Sequence, residues 1–314
     1  MDTENHCGFR IGTRGSPMAL MQTAIVRERL VATHPHLAVP GAIEIVVIKT
    51  TGDRVQDRQL AQIGGKQLFT KEIEDALLAG AIDIAVHSMK DVATWLPEGL
   101  EIACLLPRDD PRDAFLSPRV TTLAELPKGA LVGTSSPRRQ AQVLERRPDL
   151  KIVPIRGNAG TRMSKLAAGE CDAAILGLAG LRRIGEERAV TSILSVEEML
   201  PAVSQGVIGI ECRTDDLRAH EILLPLHHPE TSTCNIAERS LLAALGGSCR
   251  TPIAGLAQLV GDAVSVRGLI FSPDGACRHR ADRQGLVGDA AALGADAGAE
   301  LRAIAGPNFF GALV

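Results

Sequence analysis

The 314-residue sequence has no tyrosine, one tryptophan and only 2% aromatic residues. Proteins that hold single-stranded nucleic acid stack its bases on aromatic rings along a cationic groove. With few rings and a formal net charge of −3, the chain is not expected to bind nucleic acid. Long apolar runs are also missing. The longest, Ala173–Leu181, is closed by Asp172 and Arg182. It has about half the ~20 residues that a bilayer span needs, so it reads as a buried strand running into a turn, and no membrane association is expected. The opening residues MDTENHCGFR lack a basic segment followed by an apolar one, so no secretory signal is expected. The seven cysteines (7, 104, 171, 212, 234, 249 and 277) are irregularly spaced and include no CxxC. That argues against structural zinc and for a reducing, cytoplasmic setting. No phosphate-binding loop, dinucleotide fingerprint or G-x-S-x-G elbow occurs; Gly64-Gly65-Lys66 lacks the required spacing, and His227-His228 has no partners at metal-ligand spacing. Neither a metal nor a nucleotide is expected.

Lysine is scarce as well: 7 of the 34 basic residues are lysine and 27 are arginine. Arginine offers a rigid fork of donors matched to carboxylate and phosphate. A GC-rich genome would raise arginine, alanine and glycine alike, so the placement of the arginines says more than their number.

Apolar strand-like runs alternate with helical patterns to about residue 225. Strands are expected at Phe9–Thr13, Ile43–Ile48, Ile82–His87, Glu101–Leu105, Ala130–Thr134, Lys151–Ile155, Asp172–Leu178 and Val207–Glu211. Helices are expected at Pro17–Thr33, Thr70–Ala79, Pro137–Glu145, Gly160–Ala168 and Asp215–Leu224. The alternation predicts α/β sheets with helices on their faces. Two echoes recur in the same order in each half. GTRGSP (residues 12–17) resembles GTSSP (133–137), and AGAIDIAV (79–86) resembles AGECDAAI (168–175). They suggest two related α/β domains, the first with an insertion near 50–66. After Pro229 the pattern changes to a helix (Ser232–Leu245), strands near 252–260 and 263–271, and a helix near 288–304, a small α+β domain. The expected domains are 1–106 with 207–224, then 112–200, then 229–314.

Candidate chemistry gathers where strands end. At Ser16-Pro17 a helix starts with a good cap, and Arg10 and Arg14 flank a helix N-terminus that suits an anion. Taken alone, the segment reads first as an ordinary capped helix. Ser136-Pro137-Arg138-Arg139 repeats the start with two arginines in the first turn, where the helix dipole disfavours them. Their presence implies an anion that offsets the cost. Arg156 and Arg162 flank Gly157 and Gly160, while Arg182-Arg183 follows another strand. In doubly wound sheets ligands sit at the carboxyl ends of strands, and Lys90 would share that edge. Asp91 is then a carboxylate among cations, either a structural ion pair or a group that handles protons and positive charge. His87 reads as structural. In LGGSCRTPI, Cys249 follows two glycines and precedes Arg250, so it is either an inert buried thiol or one exposed on a turn.

Taken together, VHSMKD, GTSSPRR, RGNAGTR, LAGLRR, PAVSQG, GIEC and GGSCRTPI resemble, in order, the porphobilinogen deaminase (hydroxymethylbilane synthase) family from about Arg10 to Ile253, and more weakly to the end. The resemblance implies two domains of periplasmic-binding-protein type, each doubly wound, plus a small α+β third domain. It implies a monomer that joins four porphobilinogen units head to tail, releasing ammonia, on a dipyrromethane primer held as a thioether by Cys249. It places the catalytic carboxylate at Asp91. It implies cofactor contacts from Asp53, Lys90, Thr134, Ser136, Arg138, Arg139 and Arg162, and substrate contacts from Arg14, Ser16, Lys66, Phe69, Arg156, Arg183 and Gln205. The chemistry agrees with the arginine reading, since each pyrrole brings two carboxylates and loss of ammonia leaves a cation that Asp91 could stabilise. Three positions depart from the usual pattern: Gln62 for a lysine in the lid-like segment, Ser204 for a glycine and Ala159 for a valine. The competing readings are a non-enzymatic two-lobed receptor for a polycarboxylate, which leaves Cys249 and the third domain without a task, and an inactive paralogue that binds tetrapyrrole precursors.

Overall fold

The computed structural model describes residues 8–54, 70–247, 251–306 and 309. Up to Pro107 the chain forms β1 (Phe9–Arg14), α1 (Pro17–Thr33), β2 (Ile43–Ile48), α2 (Thr51–Arg54), α3 (Lys71–Leu78), β3 (Ile84–Ser88) and β4 (Leu100–Leu105). There follow β5 (Asp113–Leu116), β6 (Leu131–Gly133), α4 (Pro137–Arg146), β7 (Lys151–Val153), α5 (Ala159–Ala167), β8 (Ala173–Gly177), α6 (Leu178–Arg183) and β9 (Ser192–Ile193). The rest is β10 (Ile208–Arg213), α7 (Leu217–Leu223), α8 (Pro229–Ala244), β11 (Ile253–Val260), β12 (Ala263–Phe271), β13 (Arg278–Leu286) and α9 (Ala290–Ala305). Two compact units result: Met1–Pro107 with Val207–Pro229, and Arg108–Gly206 with Glu230–Val314.

The first unit holds a five-stranded sheet ordered β2-β1-β3-β10-β4. β1 runs parallel to β2 and β3, whereas β10 is antiparallel to β3 and β4. Ile11, Val26, Leu30, Ile84, Val86 and Ile210 close its core. The second unit holds a sheet ordered β7-β6-β8-β5-β9 with the same pattern: β6 is parallel to β7 and β8, and β5 is antiparallel to β8 and β9. The same unit also contains the antiparallel sheet β11-β12-β13, with α8 and α9 packed on it through Leu241, Ala297 and Leu301. The fold class is thus α/β, two similarly ordered sheets plus a small α+β part, as the alternation of elements predicts.

The sequence echoes mark matching positions in the two sheets. Asp83 donates its N–H to Arg10 O and accepts from Arg10 N at 2.7 Å; Asp172 donates to Leu131 O and accepts from Leu131 N at 2.8 Å. Each aspartate thereby pins the register of its central strand. A Cβ on Gly12 would overlap Ile82, and one on Gly133 would overlap Cys171, the residues just before these aspartates. Both close approaches need glycine.

Among the elements named above, five are not anticipated by the sequence reading: α2, β5, α6, β9 and β13. β13 reads RHRADRQGL, and its only buried side chain is Ala281. Without an apolar alternation it carries no strand signal; pairing with β12 along its whole length makes it a strand.

Candidate active site

In the first unit the carboxyl ends of β1 and β3 open on one sheet edge, because the two strands are parallel. Arg14 ends β1. Ser16 caps α1, its Oγ accepting from the Ala19 N–H at 3.2 Å, and Pro17 supplies the fixed φ that a first helical residue needs. β3 ends at Ser88 and is followed by one tight turn, Met89–Asp91. Met89 is buried and its N–H donates to Val207 O at 3.0 Å, while Lys90 and Asp91 are exposed. The turn is therefore anchored at its first residue and presents a cation and a carboxylate side by side. It has room because Gly209 on β10 lies below it; a Cβ there would overlap Met89 Sδ. Behind the turn, Glu74, His87 and Glu211 form a buried polar group.

In the second unit Thr134, Ser136, Arg156 and Arg183 follow the carboxyl ends of β6, β7 and β8, again on one edge, and Arg162 lies in α5 just beyond. The hydroxyls already have work within the chain. Thr134 Oγ1 accepts from Ser136 N at 3.2 Å, and Ser136 Oγ caps α4 by accepting from Arg139 N at 3.5 Å. Arg162 Nε donates to Gly157 O at 3.0 Å, drawing its guanidinium stem back over the glycine loop. Arg183 Nη2 donates to Gly206 O at 2.7 Å with Asp109 3.5 Å from Nε. Burial lowers the Arg183 pKa, and Asp109 works against that.

Arg138 and Arg139 are buried rather than presented to solvent, and they meet one carboxylate, Asp113 at the start of β5. Gln205 Nε2 donates to the same carboxylate at 2.8 Å. The anion that offsets two arginines at a helix start thus lies within the chain itself. Burial would raise the Asp113 carboxyl, but both guanidiniums, with hydrogen bonds from Arg139 and Gln205, outweigh it and hold it far below the usual carboxylate range. Sequence reasoning misses Asp113; the available signal is a charge opening the apolar run Ala114-Phe115-Leu116, which demands a buried partner.

Lys66, Phe69 and Cys249 lie outside the described residues, as does the side chain of Asp53. Among the other thiols, burial pushes Cys104 and Cys212 up to about 12, which makes them poor nucleophiles. Ser204 has φ 61°, in the left-handed region that glycine enters without strain, and its Oγ donates to Asn235 Oδ1 at 2.6 Å.

Comparison with known proteins bears on what such edges hold. Residues 9–221 match the family model described as "Porphobilinogen deaminase, dipyromethane cofactor binding domain", and residues 232–303 match "Porphobilinogen deaminase, C-terminal domain". The chain belongs to the porphobilinogen deaminase family. It is 55% identical over 300 residues to the porphobilinogen deaminase of Nitrobacter hamburgensis, covering 96% of this chain and 94% of that one. It is 53% identical over 308 residues to the chloroplastic porphobilinogen deaminase of Oryza sativa subsp. japonica, covering 97% and 86%. A looser likeness links it to a periplasmic substrate-binding protein of an ABC transporter from Coxiella burnetii, at 17% identity and TM-score 0.44 over 71% of this chain and 94% of that one.

As a porphobilinogen deaminase family member the chain carries the dipyrromethane cofactor-binding domain across residues 9–221, from β1 to α7. The donor set on the second sheet's edge, hydroxyls and guanidiniums, suits a group bearing carboxylates. Among the described residues, no helix is long and apolar enough to cross a membrane, and no group of three or more His, Cys, Asp or Glu could hold a metal ion.

Proposed function

We propose that the chain is a hydroxymethylbilane synthase. It joins four porphobilinogen molecules head to tail, with loss of ammonia at each addition, into linear hydroxymethylbilane for tetrapyrrole biosynthesis. The observation that carries this reading is the exposed Lys90–Asp91 pair on an anchored turn, at the same sheet edge as Arg14, in a chain of the porphobilinogen deaminase family.

The dipyrromethane group, a thioether of Cys249 in this reading, supplies the pyrrole carbon from which the chain grows. Asp91 holds pyrrole N–H groups and offsets the positive charge that develops as ammonia departs. It also takes part in the proton transfers to the leaving amine and from the ring. Asp53, Lys90, Thr134, Ser136, Arg138, Arg139 and Arg162 serve the cofactor. Arg14, Ser16, Lys66, Phe69, Arg156, Arg183 and Gln205 serve the substrate. Growth adds two carboxylates per unit, which is why many fixed guanidiniums are needed rather than one. The protein acts as a cytoplasmic monomer without nucleic acid, built of three domains, 1–106 with 207–224, 112–200 and 229–314; most of the expected lid-like segment near 50–66, with Gln62, lies outside the described residues.

The intact mass of the purified protein tests this reading. Wild type should exceed its sequence mass by two condensed pyrroles, and Cys249→Ser should not. An unmodified wild-type mass with full activity overturns it.

A further inference from the structure

Asp113 is fully buried at the head of β5, and three donors converge on it. Arg138 Nη2 reaches Oδ2 at 2.8 Å, and Arg139 Nη2 and Gln205 Nε2 both reach Oδ1 at 2.8 Å. Each guanidinium is held at a second point: Arg138 Nη1 donates to Leu200 O at 2.7 Å, and Arg139 Nη1 to Ile175 O at 3.1 Å. A cation bonded to two fixed acceptors cannot swing, so the carboxylate and the two carbonyls set where both guanidiniums lie. The charges do not cancel. Two cations share one anion in a dry setting, and the Nε of each arginine is buried without a hydrogen-bond partner. A pair built only to close the fold would need one arginine for one aspartate; here one positive charge is left over, just under the Ser136 cap of α4 and beside the carboxyl end of β8.

We propose that Asp113 is a positioning residue, which fixes the Arg138–Arg139 pair and trims its charge to a single excess positive that draws the carboxylates of the dipyrromethane group. The inference rests on the proposed function above and adds a residue to it. Asp113 touches no ligand in this account; it acts through the arginines. Without it the two cations repel each other, and burial favours their leaving the site.

Asp113→Asn keeps the side-chain shape and removes the charge. Arg139→Gln removes one cation, and the double variant Asp113→Asn/Arg139→Gln restores a net single positive. Two quantities are read on each: the fraction of molecules carrying the primer, by intact mass, and the melting temperature. Asp113→Asn is expected to lower primer occupancy about tenfold or more, the scale of a buried charged hydrogen bond. The double variant is expected to load no worse than the worse single variant, because the two residues act as one unit. Should Asp113→Asn fail to fold, the double variant, whose one buried cation restores the wild-type net charge of the cluster, still tests the point: it should load at least as well as Arg139→Gln. Occupancy equal to wild type in folded Asp113→Asn overturns the inference, as does a double variant whose losses multiply. An unloaded wild type overturns the underlying function instead, so the two failures are told apart.

Discussion

His87 Nε2 lies 2.8 Å from Glu211 Oε2, and both side chains are buried, yet neither atom makes an aligned hydrogen bond. The contact is a close polar approach across the β3–β10 ladder, just before the strand that delivers Asp91 ends. Glu74 on α3 completes the group as a second buried carboxyl. Burial raises its pKa; a hydrogen bond with Thr70 opposes this, and the Glu211 charge adds to it.

A raised carboxyl pKa favours the fold when the group is protonated. That contribution is fully present below the unfolded value, about 4.3, and is lost as pH rises through the folded value. Glu74→Gln imitates the protonated form at every pH. The melting temperature of the variant is therefore expected to gain on wild type as pH is raised from about 4 to about 8. A difference that stays constant, or shrinks with pH, would contradict the assignment.

Asp91 is exposed and terminates a turn whose packing rests on Met89. Asp91→Asn should consequently leave the melting temperature almost unchanged. Turnover, followed as ammonia release, should drop by about a hundredfold or more, the scale of a lost proton-transfer or charge-stabilising group. Ammonia release close to wild type would remove Asp91 from the catalytic role.

Gly209 leaves the space that Met89 Sδ fills. Gly209→Ala forces Met89, and with it Lys90 and Asp91, to move. Overpacking of this kind costs about 1–3 kcal/mol, so a melting point a few degrees lower and a reduced kcat are expected. Adding Met89→Ala returns the space and should recover part of both. If the second change only worsens the first, the steric account is wrong.

Much of the frame is legible in the sequence, for reasons that differ by element. α1 starts at Pro17 because Ser16 caps it, and both signals are local. β2 matches its expected bounds, Ile43–Ile48, because every residue in it except Glu44 is a β-branched apolar one. β13 is hidden because its partner, not its own composition, makes it a strand. α6 is hidden because six residues are too few to show a helical period. At the site, Arg138-Arg139 stands out as an oddity of charge, but the sequence does not say whether the answering anion is a ligand or a side chain. Asp113 is 25 residues from Arg138 and 26 from Arg139, and only tertiary structure brings them together. Asp91 reads as one carboxylate among cations; that its turn is pinned by Met89 and Gly209 depends on a strand more than a hundred residues away.

The position of β10 has a consequence for the chain as it is made. It is an inner strand of the first sheet, between β3 and β4, but it is synthesised after the whole second sheet. Roughly 100 residues separate Leu105 from Ile208, so at about 5–20 residues per second the growing chain spends about 5–20 s with β3 unpaired on one side and β4 without its neighbour. During that interval His87 has no Glu211 to meet. Of the two five-stranded sheets the one begun first is completed last, and the half-built sheet must be kept from other unpaired strands until Ile208–Arg213 emerges.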